Sequence, residues 1–440
     1  MLAVRLMSLA AAGALVAALA GCASSGDNDA DSDIDSDQLT GEIACGLSNG
    51  KEATGAPIKV GAISTESGGI DFSSSSKAAQ AYFDCVNANG GINGRPIDYD
   101  RQDDGLDPQK ASALATKFAG DTDVVAMAGG ASFIACGINQ PIYEKGNLFD
   151  ILGVGVPQPC FYSKNMSALN AGPRLSMISA VQQQVEENGV TSAAGSGYTI
   201  PGLGDWVKEG LEAYGDEQGV DISYFDLVPP PVEDATSLVT ELRSKKPGTF
   251  ALGWAAADNA TYLKAVEQQG LDESTTVTCL TPCYDTTFPA QIGSFWNDKL
   301  WSNSEFSMLD SEGEDNLNWR RVLKDFGTAD QPRDSFSQGG YLAARVLVDA
   351  LLGLEPDAIS RETVSEAIQG IKGFETDMLC QAWYFAGPNG HNNANHQLLN
   401  VKLGADGEFE KANDCFETQD PGLADIIAFE ESNPDVLTGS

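Results

Sequence analysis

Histidine and positive charge are what this 440-residue sequence has least of: two histidines, and 26 Lys and Arg against 63 Asp and Glu. The formal charge of −37 argues against a DNA or RNA partner, because phosphate binding relies on clustered Lys and Arg. It argues equally against docking on anionic lipid through a basic patch. His391 and His396 both sit in the polar run GHNNANH near the C-terminus, which reads as a solvated turn in preference to a metal pair. Zinc catalysis and imidazole acid–base chemistry therefore have little to draw on. No Gly-x-Ser-x-Gly elbow is present, since Ser196 lies in AGSGY with Ala194 and Tyr198 at the flanking glycine positions. There is no GxxxxGK phosphate loop, and the glycines around Gly195 do not form GxGxxG. Without a nucleophile beside a base, the expectation is a protein that is not an enzyme, with no catalytic residue, no metal and no cofactor. The hydrophobic fraction of 42% is ample for folded cores, and the length suggests two or three domains.

What is present begins with an export signal. Residues 1–21 carry one basic residue, Arg5, then an apolar run interrupted only by Ser8 and two glycines. Polar sequence follows at once with no stop-transfer pattern, as after a bacterial secretory signal. A membrane-spanning helix is the competing reading, because the run is close to the ~20 residues that span a bilayer. Leu19-Ala20-Gly21-Cys22 decides between them, since it resembles the lipobox of bacterial lipoproteins, which are cut before the Cys that then carries the lipid. Residues 1–21 are thus expected to be a lipoprotein signal peptide and Cys22 the lipidation site. That places the chain outside the cytoplasm, anchored to the bacterial cell membrane on its periplasmic or outer-surface side.

Residues 22–56 read as an acidic, solvated tether. Six Asp fall on every second position from Asp27 to Asp37, with no apolar period and with like charges that repel. A calcium loop would need the central Gly and terminal Glu of an EF-hand, which are missing. Eight cysteines remain: Cys45, Cys85, Cys136, Cys160, Cys279, Cys283, Cys380 and Cys415. An even count in an exported chain favours disulfides over metal or catalysis. Cys279 and Cys283 form a CxxxC pair, but no second pair or nearby His supports a metal knuckle.

From residue 57 onward strands alternate with helices. Strands are predicted at 58–63, 97–101 and 124–128. Helices are predicted from the serines 73–76 to Asn89-Gly90-Gly91, and from the Asp107-Pro108 cap to about 118. The alternation restarts after Pro173. Helices are expected at 177–188, 204–214, 234–244 and 259–269, and strands near 190–194, 222–228, 249–253 and 276–280. Two more helices follow at 316–326 and 335–352, then strands at 382–385 and 397–403. Such alternation indicates βαβ units and mostly parallel sheets covered on both faces. The chain is too long for one sheet and too continuous for two separate domains.

IKVGAIS and VNANGGINGRPIDYDRQDDGLDP carry a family resemblance. With them go Pro141-Ile142-Tyr143-Glu144, the segments 202–211, 263–271 and 339–352, and Gly387 with Gly390. In order and spacing, from about residue 57 to 415, the sequence resembles the type I periplasmic binding proteins of the branched-chain amino acid and amide class. The resemblance implies an α/β fold of two Rossmann-like doubly wound lobes joined by three hinge crossovers, near 170–178, 300–306 and 374–382. It divides the chain into a first lobe, 57–174 plus 303–378, and a second, 175–302 plus 379–430. It implies a monomeric solute-binding protein of an ABC importer, closing on a small polar solute such as an amino acid, amide or related carboxylate and presenting it to permease subunits. A ligand-sensing lipoprotein that presents the same fold to a receptor or kinase is the alternative.

The ligand positions carried over by the resemblance are Phe72, the Ser132 and Phe133 loop, Gly155 and Val156 from the first lobe, with Tyr198, Trp254, Tyr284 and Asp285 from the second. The Gly129–Ser132 loop is where relatives hold an amino acid's carboxylate on hydroxyl and backbone N–H groups. Val156 replaces a hydroxyl residue, and the amine-binding acid maps near Cys283, leaving Asp285 to substitute. The second departure weakens the case for an α-amino acid. Proximity in the implied fold pairs Cys45 with Cys85, Cys136 with Cys160, Cys279 with Cys283 and Cys380 with Cys415.

Overall fold

A computed structural model describes residue 39 and residues 41–271, 274–329 and 331–439. The expected signal, Cys22 and the Asp-rich run lie outside the described residues. The first lobe is a parallel sheet of β1 (Ile58–Ser64), β2 (Ile97–Asp103), β3 (Val124–Ala128), β4 (Asp150–Leu152) and β5 (Met166–Ala168), in the order β2-β1-β3-β4-β5. β3 is buried at every residue and β1 at all but one, as expected of strands covered on both faces. Helices α1 (Ser73–Ala88), α2 (Pro108–Gly120) and α3 (Ala135–Gly146) connect them. Asp107 caps α2 by accepting from the N–H groups of Gln109 and Lys110, with Pro108 in the first turn, where its missing donor does no harm. After α1 the chain turns through Gly91 at φ 57°, where a Cβ would stand 2.3 Å from the Arg95 carbonyl oxygen. Only glycine fits there.

The second lobe begins with α4 (Pro173–Asn188) and β6 (Ser192–Tyr198), followed by α5 (Gly204–Gln218) and β7 (Asp221–Val228). It continues through α6 (Thr236–Lys245), β8 (Thr249–Leu252), α7 (Ala256–Gln269), β9 (Thr276–Cys279), α8 (Phe288–Ile292) and β10 (Leu300–Ser304). Its sheet runs β7-β6-β8-β9-β10, the strand order of the first lobe over again. The chain then returns to the first lobe as α9 (Glu314–Phe326), α10 (Ser335–Leu352) and α11 (Arg361–Gln369). α10 lies against α1, and a Cβ on Gly340 would come within 1.8 Å of the Ser75 carbonyl oxygen, so the two backbones touch where only glycine permits it. Strands β11 (Gln397–Leu403) and β12 (Phe409–Lys411) extend the second sheet antiparallel beyond β10, and β13 (Phe416–Glu417) pairs with β11. Two short helices, α12 (Ala424–Ser432) and α13 (Asp435–Thr438), end the described chain.

Three segments differ from the sequence expectation. Residues 41–56, expected in the tether, lie on the first lobe. The Ala44 backbone exchanges hydrogen bonds with the Asn318 side chain at 2.8 and 2.6 Å, and Cys45 is bonded to Cys85 of α1. Residues 382–385, expected as a strand, make only the isolated Phe374–Trp383 bridge, and Phe385 still packs on Phe149 of the first lobe. The third passage between lobes therefore falls between Phe385 and Gln397, later than 374–382. That passage contains GHNNANH, which is buried and not a solvated turn: His391, Asn392, Asn393, Asn395 and His396 are each at most 4% exposed. Its amides replace water with backbone acceptors, Asn392 donating to the Met166 carbonyl and Asn393 to that of Ala171. His391 Nδ1 faces Asp425 at 2.8 Å, and His396 Nε2 faces Glu430 at 3.0 Å. Among the described residues no cluster of His, Cys, Asp or Glu suits a metal ion.

Disulfides join Cys45 to Cys85, Cys136 to Cys160, Cys279 to Cys283 and Cys380 to Cys415. These are the pairs the resemblance implied.

One buried acid makes stability depend on pH. Asp150 opens β4 with its carboxyl enclosed and Oδ1 without a hydrogen-bond partner, and burial pushes it up to about 7. A carboxyl whose folded value lies above its unfolded one contributes stability at low pH that is lost as the pH rises through the folded value. Asp150→Asn, which cannot ionise, should therefore gain thermal stability relative to the parent as pH climbs from about 4 to about 7, with the difference levelling off above that. Parallel melting curves across that range would contradict this account.

Candidate functional site

In each lobe the strand order reverses beside its first strand, between β1 and β3 and between β6 and β8. Loops leaving the carboxyl ends of such a strand pair diverge and open a crevice. The four loops concerned bring Phe72, Phe133, Tyr198 and Trp254 to one cleft between the sheets, and α10 adds Phe336. The cleft holds about 440 Å³ of empty space, part of it open to solvent. Phe72 stacks on Phe336 at 4.5 Å between ring centroids and meets Phe133 edge-on at 4.6 Å. Phe133 faces Tyr198 of the other lobe at 6.0 Å. All but the partly buried Phe336 are buried, so the two walls stand closed upon each other.

The polar tips of these rings are held by the protein. Trp254 Nε1 donates to the Gly197 carbonyl at 3.0 Å, and the Asn259 side chain bonds the Trp254 backbone on both sides. The Tyr198 hydroxyl donates to Asp258 and accepts from the Ala255 N–H at 2.9 Å. Only ring faces and edges are left for the cleft. Gly155 is gripped through both backbone groups by Asn170, at 2.7 and 3.1 Å.

Behind the cleft the three passages between lobes are tied together. Glu305, directly after β10, is 4% exposed and accepts from Gly172 N at 2.9 Å, Ser176 Oγ at 2.6 Å and Asn170 Nδ2 at 3.1 Å. Burial pushes its carboxyl above the ordinary range, and these three donors draw it part of the way back. Asn395 of the third passage donates to the carbonyls of Leu169 and Glu305, both at 2.9 Å. Side-chain amides and one carboxylate thus join the strands of the hinge.

Of the residues singled out in the sequence, Phe72, Phe133, Gly155, Val156, Tyr198 and Trp254 line this cavity together. Tyr284 and Asp285 lie on an adjoining outer chamber with Asp71, Asp334 and Ser335. Ser132 lines neither; it is 3% exposed, and its hydroxyl donates to Asp104 while accepting from the N–H groups of Ile134 and Ala135. Its hydroxyl thus caps the start of α3, turned away from the cleft. Sequence reasoning missed Phe336, Asn170, Ser176 and Glu305 as wall residues. Asn170, Ser176 and Glu305 fall in stretches expected as hinges, which was the available signal; Phe336 follows the Asp334 cap of α10 and gave none.

Residues 57–408 match a family described as "Periplasmic binding protein". Among solved structures, a fatty acid ABC transporter substrate-binding protein from Thermomonospora curvata is 18% identical, with TM-score 0.68, over 86% of this chain and 95% of that one. An ABC transporter substrate-binding protein from Aeropyrum pernix is 16% identical, with TM-score 0.71, over 85% and 99%. The branched-chain amino acid transporter substrate-binding protein of Streptococcus pneumoniae, in complex with isoleucine, is 14% identical, with TM-score 0.67, over 82% and 99%. These likenesses bear on the fold. No curated protein matches the sequence.

Proposed function

The chain belongs to the periplasmic binding protein family, and from that premise we propose that it captures a small solute between its lobes by hinge closure and delivers it to an ABC importer. The observation that carries this reading is the cavity, built from loops at the switch points of both sheets, so that neither lobe alone encloses it. Solved structures of the same fold named as ABC transporter substrate-binding proteins support the transport role. The protein acts outside the cytoplasm as a monomer, held to the membrane by lipid on Cys22 and meeting permease subunits with its folded body. In the test, the natively purified protein is denatured and the released small molecules are identified by mass spectrometry. The expected result is a solute that raises the melting temperature when added back. Failure of any extract fraction to raise it would count against solute capture.

The anchor has its own test. Cys22→Ser should abolish labelling by radioactive palmitate and release the protein from membranes. Labelling at the parent level would refute the lipoprotein assignment.

A further inference from the structure

The loop after β3, where relatives cradle a carboxylate, is already full. Ser132 Oγ donates to the fully buried Asp104 and accepts from Ile134 N at 3.1 Å and Ala135 N at 2.9 Å. Thr65 Oγ1 donates to Asp104 at 3.0 Å and accepts from Phe133 N at 3.3 Å. The N–H groups of Ala131, Phe133, Ile134 and Ala135 are bound within the protein, with an acid behind them.

The inner cavity offers an anion no positive charge. Among the described residues no Lys or Arg lines it, and its one acid, Glu305, is engaged by three donors. The indole N–H, the phenol and the Asn170 amide are likewise committed. The outer chamber repels anions further, carrying Asp71, Asp285 and Asp334 and, among the described residues, no basic side chain. A carboxylate moved into this cleft would lose its water and find no counter-charge, and the Thr281 hydroxyl, which accepts from Asn303 at 3.2 Å, is a single neutral donor that does not offset that loss. Apolar rings, by contrast, gain from contact with Phe72, Phe133, Tyr198 and Trp254.

Resting on the solute-binding reading of this same cleft, we propose that the solute is an uncharged molecule with an aromatic or branched aliphatic body and no carboxylate. Amino acids and fatty acid anions are thereby excluded from the class.

The test is calorimetric titration of the disulfide-intact protein with benzyl alcohol and 3-methylbutanol against phenylacetate, leucine and octanoate. The alcohols should bind at least about tenfold more tightly than the carboxylates of similar body. Asp104→Asn, where it folds, should narrow the gap between benzyl alcohol and phenylacetate. A carboxylate binding as tightly as its matching alcohol overturns the proposed class. If that binding is also lost in Trp254→Ala, solute capture in the cleft still stands. Binding of none of the five overturns the class as well, and the released-solute experiment then decides separately whether the protein captures solutes at all.

Discussion

Trp254→Ala is expected to weaken binding of the captured solute by about 2–3 kcal/mol, roughly 30- to 150-fold in Kd. The indole forms one wall of the cleft with its N–H tied to Gly197, so its whole remaining contribution is ring surface. Trp254 is also 1% exposed and lies 5.4 Å from Tyr262, so truncation leaves a void and lowers stability, on the order of 3 kcal/mol. Trp254→Phe helps to separate the two effects, since it keeps a ring in the wall while losing the Gly197 hydrogen bond and part of the ring area. Calorimetry on both folded variants should rank affinity as parent, then Phe, then Ala. Identical affinity in all three would place the solute elsewhere.

Glu305→Ala should destabilise the protein by about 3–5 kcal/mol, because Gly172 N, Ser176 Oγ and Asn170 Nδ2 would each lose a buried acceptor. Glu305→Gln keeps an acceptor oxygen but turns an NH2 toward a donor, so about 1–2 kcal/mol is expected. Urea midpoints at constant slope measure both. A parent-like midpoint for the alanine variant would mean that the carboxylate does not hold the hinge.

The α/β alternation was legible because β3 is a continuous apolar run, because β1 is apolar from Ile58 to Ile63 except at Lys59, and because Asp107-Pro108 and Gly90-Gly91 punctuate the first two helices. β4 and β5 were not, being three residues each, too short for any period to develop. α3 carries Pro141 inside it, and β6, SAAGSGY, is so rich in small residues that its strand character comes from burial between neighbours. Phe72, Phe133, Tyr198 and Trp254 were readable as a group because each lies at or after the carboxyl end of a strand, whereas Phe336, on α10, was not. The Ser132 loop misled for a tertiary reason: Asp104, at the end of another strand, turns that hydroxyl inward. GHNNANH misled similarly, since asparagine looks solvent-seeking until carbonyls of a distant segment take the place of water.

Cys380 and Cys415 enclose the third passage in a covalent ring. A protease cut at any peptide bond within that ring would leave one molecule, since the severed ends stay linked through sulfur. The fragments would separate on a gel only after reduction, while the uncut passages would still hold the two walls in register. In a protein stationed outside the cytoplasm, one of the three segments that join the lobes can be nicked without the cleft being lost.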